Sequence, residues 1–237
     1  MIDLEERDGI AVVRLAHGKV NALDLELLRS ITETFAELDR SDAPAVVFTG
    51  SGRAFSAGVD LWRIIDGGAA YVHEFLPALD AAFLAVFRIG KPVVAAINGH
   101  AIAGGAILAA ACDQRVMAGG TIGVTELLVG VPFPPSALGI LGHAFGERRA
   151  REAVLSGVTL APPEALAAGH IDEIGSLEAA IVRAERLATI PPDTFRLSKD
   201  QLRAAVRGEP DPRVEELWVR AAEDGRIERY MTETVRR

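Results

Sequence analysis

The 237 residues carry a formal charge of −8 and are 49% hydrophobic, which allows a sizeable core and argues against nucleic acid or an anionic membrane as partner. The single cysteine, Cys112, excludes an internal disulfide and points to a reducing, cytoplasmic setting. The acidic opening MIDLEERDGI lacks the pattern of a secretory signal.

IAVVRL, Ile10 to Leu15, predicts a strand, and Asp24 to Asp39 an amphipathic helix with Leu25, Leu28, Ile31, Phe35 and Leu38 on one face. The strand AVVFTG, Ala45 to Gly50, is followed by FSAGVDL, Phe55 to Leu61, whose only charge is Asp60. A long helix near Ala70 to Phe87 leads to a strand at Val93 to Ile97. From Pro92 to Cys112 there is no Asp, Glu, Lys or Arg, a stretch as long as a membrane span. The turn signal Asn98-Gly99 divides it into a buried strand and a buried helix from Gly104 to about Ala111. Short strand-like pieces, DQRVMAG and TIGV, precede helices at about Ser136 to His143 and Glu147 to Leu155. From Pro162 onward the pattern is mostly helical, broken by a strand at Ile171 to Ile174 and by Pro191-Pro192. Alternating strands and helices followed by helices alone predict an α/β fold with a helical C-terminal portion, and no repeat of fixed period is visible.

Three stretches combine turn residues with a lack of charge: FSAG at Phe55 to Gly58, AGGA at Ala103 to Ala106, and TELLVGVPFPP at Thr125 to Pro135. Gly104 and Gly105 open a helix, so their N–H groups are unpaired donors at the positive end of its dipole, suited to a developing oxyanion. The same glycines would also serve close packing of strand and helix. Glu126 is the only charge between Arg115 and Glu147. Buried, it would have a raised pKa and could shuttle protons; in an exposed turn it would do nothing of the kind. His17, His73, His100, His143 and His170 lie in separate segments without metal-ligand spacing, so no metal site is expected. His100 reads as a structural histidine beside AGG, and Cys112 as inert packing. Ser56 stands in a strand-loop-Ser-x-Gly setting, but Ala54 replaces the first glycine of the hydrolase elbow.

The segments KVNALD (Lys19 to Asp24), RAFSAGVDL (Arg53 to Leu61), KPVVAAINGHAIAGGAILAAACD (Lys91 to Asp113) and IGVTELLVGVP (Ile122 to Pro132) together resemble the crotonase, or enoyl-CoA hydratase/isomerase, superfamily. The similarity continues through FGERRAREAVLSG and APPEALAAGHIDEI. It implies a crotonase-type ββα spiral core over residues 1–185 and a C-terminal helical segment, 186–237, engaged in packing a homotrimer or dimer of trimers. The ligand implied is an acyl-CoA thioester, with coenzyme A as part of the substrate and no separate cofactor. By the same resemblance the thioester oxygen would lie between the backbone N–H groups of Ala57 and Gly104, and Glu126 would move the proton. Coenzyme A would lie along Lys19, Val20 and Ala22 and the loop of Ala54, Phe55, Ser56, Gly58, Asp60 and Leu61, with Gly105 and Ile107 lining the site. Lys19, Arg53 and Lys199 are the phosphate candidates. Family hydratases use two glutamates, and the first falls on Ile107, which transfers no proton. The resemblance therefore implies Δ3,Δ2-enoyl-CoA isomerisation by one glutamate, with hydration and non-catalytic acyl-CoA binding as alternatives.

Overall fold

The runs IAVVRL and VVFTG lack the alternation of a half-exposed strand because both of their faces are covered. The computed structural model describes residues 1–234, so the last three residues of the expected C-terminal segment lie outside the described residues. The first part runs β1 (Ile2–Arg7), β2 (Ile10–Leu15), α1 (Leu25–Arg40), β3 (Val46–Gly50), β4 (Ala54–Ser56), α2 (Leu61–Arg88), β5 (Val93–Ile97) and β6 (His100–Ile102). There follow α3 (Gly104–Ala111), β7 (Gln114–Met117), β8 (Ile122–Gly123), α4 (Glu126–Val129), α5 (Pro135–Phe145), α6 (Glu147–Ser156) and α7 (Pro162–Ala167). The chain closes with β9 (Glu173–Ile174), α8 (Leu177–Ala188), α9 (Pro192–Arg203), α10 (Pro212–Glu223) and α11 (Arg226–Thr234).

The larger sheet has the order β1-β2-β3-β5-β7-β9, parallel except for the β1–β2 pair, and the smaller has the order β4-β6-β8, all parallel. A strand of the larger sheet is followed by one of the smaller and then by a helix in β3–β4–α2, in β5–β6–α3 and in β7–β8–α4. That is a ββα spiral, repeated in structure without a repeat in sequence. On one face of the larger sheet Val12, Val47, Val94 and Val116 pack against Ala180, Ile181 and Ala184 of α8. On the other, Val13, Phe48, Ala95 and Met117 join the main core with α1, α2 and α3. The uncharged stretch from Pro92 to Cys112 thus forms β5, β6 and α3, most of it buried.

Two expectations change in detail. The predicted Ala70 to Phe87 helix is the second part of α2, which begins earlier, at Leu61, and breaks at Gly68 (φ 54, ψ −149). The boundary expected at residue 185 falls inside α8, so the C-terminal portion begins after Ala188, where Pro191 and Pro192 open α9. α9 is tied to the core of its own chain. Asp113 accepts from Lys199 Nζ, Arg203 and the Val93 N–H, each at 2.7 Å, while Arg203 also donates to the carbonyls at the ends of α2 and α3, Phe87 and Ala111.

Candidate active site

Because β4, β6 and β8 are parallel neighbours, the residues leaving their C-terminal ends emerge along one edge. Ala57 to Asp60 leave β4, Ala103 to Gly105 leave β6, and Val124 to Glu126 leave β8. Such edges are where ligands gather in parallel sheets. With strands ~4.8 Å apart, the exits of β4 and β8 are separated by roughly 10 Å.

The β4 exit is held by the segment Val20 to Leu23. Ala57 N–H donates to Val20 O (3.0 Å), Leu23 N–H to Gly58 O (2.8 Å), and Asp60 N–H to Leu23 O (3.0 Å). The expectation that Ala57 supplies an oxyanion donor is therefore corrected: its N–H is engaged within the protein. The neighbouring donor is Val59. In its parallel bridge with Leu23, the residues on either side, Gly58 and Asp60, make the hydrogen bonds, so the N–H of Val59 points away from Leu23. It has no acceptor among the described residues. Nothing in the residue type signals this, since any non-proline residue carries an N–H. Gly58, at φ +83, lies so close to the β6 exit that a Cβ there would stand 2.6 Å from Ile102 O and 3.3 Å from Gly104 N.

At the β6 exit Ala103 takes φ 51, ψ −122, a conformation costly for an L-residue, and α3 starts at once behind it. Ala106 and Ile107 donate back to Ala103 O, leaving the N–H groups of Gly104 and Gly105 without acceptors among the described residues. The two glycines differ in what surrounds them. A Cβ on Gly105 would meet Ser56 O at 2.3 Å, so this glycine permits α3 to pack on β4, while Gly104 offers its N–H beside Gly58.

Glu126 opens the single turn of α4 and is 6% exposed. Its Oε2 is buried without a hydrogen-bond partner among the described residues. Burial pushes its carboxyl up to about 8, against the weaker opposing pull of the backbone N–H groups of Glu126 and Thr125. A carboxylate without a cation beside it is costly to ionise in such a place and stays protonated well above its usual range. The loop behind it is fixed by the C-terminal helices: Trp218 Nε1 donates to Pro132 O (2.9 Å), and Arg226 to Gly130 O (3.3 Å).

The remaining expected residues divide. Ser56 is fully buried, donating to Asn21 O (2.7 Å) and accepting from Gly58 N–H (3.1 Å), which gives its hydroxyl a structural task in place of a nucleophile's. Ala54 and Phe55 are core residues of β4, with the Phe55 ring edge-on to Phe48. Asp60 caps α2 by accepting from the N–H groups of Trp62 and Arg63, and Leu61 begins that helix. Ile107 is buried in α3, one turn along from Gly104. Lys19 and Arg53 are exposed on adjoining loops, and Val20 and Ala22 are half-buried between them and the site. Lys199 is not available as a phosphate ligand. It is 4% exposed, and its ammonium is spent on Asp113 and Lys91 O (2.7 Å each); burial pulls its pKa down to about 8. His100 is exposed and paired with Thr121 Oγ1, and burial raises the Cys112 thiol to about 12, in keeping with inert packing.

The fold is thus a ββα spiral of α/β class with open backbone donors and a buried carboxyl brought to one strand edge. Residues 5–225 match the enoyl-CoA hydratase/isomerase family, and the chain belongs to that family, within the crotonase superfamily. It is 31% identical over 214 residues to the mitochondrial enoyl-CoA delta isomerase 1 of Mus musculus, covering 86% of this chain and 74% of the relative. It is 37% identical over 209 residues to a candidate enoyl-CoA hydratase of Thermus thermophilus, covering 84% and 82%. The crystal structure of the human mitochondrial delta3-delta2-enoyl-CoA isomerase superposes with a TM-score of 0.80 at 25% identity, over 99% of this chain and 93% of that one.

Proposed function

We propose that this enzyme converts 3-enoyl-CoA to 2-enoyl-CoA with Glu126 as its only proton shuttle. Glu126 takes a proton from C2, the electron pair moves into the thioester to give an enolate, and the same carboxyl returns a proton to C4 as the double bond shifts. The N–H groups of Val59 and Gly104 hold the enolate oxygen, one such donor being worth roughly 2.7–4 kcal/mol of barrier. Lys19 and Arg53 face the phosphates of coenzyme A. The observation that carries this reading is the buried Glu126 carboxyl at the strand edge; by the family resemblance, the second glutamate of the hydratases falls on Ile107. The Thermus thermophilus relative favours hydration as the second reading. Ile107 counts against it, because it cannot hold the attacking water. A trimer or a dimer of trimers belongs to the same proposal, and the exposed Leu127 and Leu128 beside Glu126 offer apolar surface for such contacts.

The test is the pH dependence of isomerisation. Proton abstraction requires ionised Glu126, and with a pKa of about 8 only about a tenth of it is ionised at pH 7. The kcat/KM for 3-enoyl-CoA should rise about tenfold per unit below pH 7 and level off above 8. A profile flat from pH 6 to 9 would remove Glu126 from the role.

A further inference from the structure

Asn21 has no part in the chemistry above, yet it holds the loop that carries it. It is buried and sits at φ 52, outside the range usual for a residue with a side chain. Its amide nitrogen donates to Ala54 O (3.0 Å) and Phe55 O (3.1 Å), the carbonyls of β4, with Ser51 O at 3.4 Å. Its side-chain oxygen accepts from His17 N–H (2.9 Å), and its carbonyl accepts from Ser56 Oγ (2.7 Å). Its own N–H donates to His17 O (3.0 Å). Val20, just before it, and Leu23, two residues after it, are those that bond Ala57, Gly58 and Asp60.

We infer that Asn21 is a positioning residue that sets the direction of the Val59 N–H by locking the Val20–Leu23 segment to β4. The inference rests on the function proposed above. Its physical basis is the pairing pattern: Val59 points its donor outward only while Leu23 stays in register with Gly58 and Asp60. That register is fixed from the far side by the two amide bonds of Asn21. The left-handed backbone is what lets one residue face β4 with its side chain and with its carbonyl at once. A shift of about 1 Å in such a donor is enough to cost ~10² in rate.

The decisive variant is Asn21→Gly, because glycine accepts φ 52 without strain and removes only the side-chain ties. Measured on 3-enoyl-CoA, kcat should fall about 10²-fold while KM changes less than about threefold. A spectroscopic reading separates positioning from general loosening. With 2-butenoyl-CoA carrying ¹³C at the thioester carbonyl, difference infrared spectra in a Glu126→Gln background should show the carbonyl stretch moved to lower frequency on binding. Adding Asn21→Gly should return it toward its value in water. Ser56→Ala, which cuts the tie from the β4 side, is the second variant should Asn21→Gly fold poorly; it should give a smaller shift in the same direction. A carbonyl equally polarised with and without these substitutions, in folded protein, would overturn the positioning role and leave the reading of the site intact. A carbonyl unshifted even with Asn21 and Ser56 in place would overturn the reading of the site, and the role of Asn21 with it.

Discussion

Glu126→Gln is expected to lower the turnover of 3-enoyl-CoA by ~10²–10⁴, the range for loss of a general base, while acyl-CoA binding persists. Glutamine keeps the shape and the buried amide can use the N–H groups that now face the carboxyl, but it cannot accept a proton. The same substitution carries a second signature, in stability. Glu126 has a folded pKa of about 8 against an ordinary value of 4.5, so its favourable contribution is complete below pH 4.5 and is lost as pH rises toward 8. Glutamine has no such loss. Glu126→Gln should therefore be about as stable as the parent at pH 5 and more stable than it, with a higher melting temperature, at pH 9, by a margin on the order of a few kcal/mol. Equal melting temperatures at pH 9 would mean that the carboxyl is solvated, and the account of its pKa would fail.

Replacing the Val59 amide by an ester, with the hydroxy-acid analogue of valine, deletes the N–H that the β4 exit leaves open among the described residues. The expected loss is ~10²–10³ in kcat, as for removal of one oxyanion donor. The matching ester at Ala57 deletes the bond to Val20 O instead. That bond contributes about 0.5–1.5 kcal/mol to stability, and kcat should stay within about tenfold. The pair of esters is a sharper comparison than proline, because it leaves the backbone dihedrals free. A dead Ala57 ester beside an active Val59 ester would restore Ala57 as the donor.

Ala57 and Val59 also illustrate what the sequence can convey. The motif FSAGVDL, with small residues and a glycine that allow close approach, reads as a loop where the main chain works, and the fold places it at the β4 exit. Which N–H is open depends on the phase of a single β-bridge to Leu23, a tertiary fact with no trace in residue type. Strands β2, β3 and β5 were legible because they are buried on both faces and so read as continuous apolar runs. The strands β4, β6 and β8 are two or three residues long, too short for any period, and they are the ones that assemble the site. The strand β1 was missed for the opposite reason: IDLEER is an exposed, charged edge without a buried face.

Glu126 could be singled out because it is isolated among apolar residues, but its burial is a tertiary fact, since the adjoining Leu127 and Leu128 are exposed. Lys199 misled because a lysine on a helix reads as solvated by default. Its partner Asp113 is 86 positions away in sequence, and only folding brings the two together. The same holds for Asn21, a turn residue by composition, three of whose six hydrogen bonds reach β4 across more than thirty positions.

The most direct measurement incubates the protein separately with a 3-enoyl-CoA, a 2-enoyl-CoA and a saturated acyl-CoA, and follows enoyl isomers, 3-hydroxyacyl-CoA and free thiol. A single-glutamate isomerase predicts 2-enoyl-CoA from the first, with little hydration of the second and no thiol from any. Rapid formation of 3-hydroxyacyl-CoA from the 2-enoyl substrate, or tight binding of the 3-enoyl substrate with no product, would contradict it.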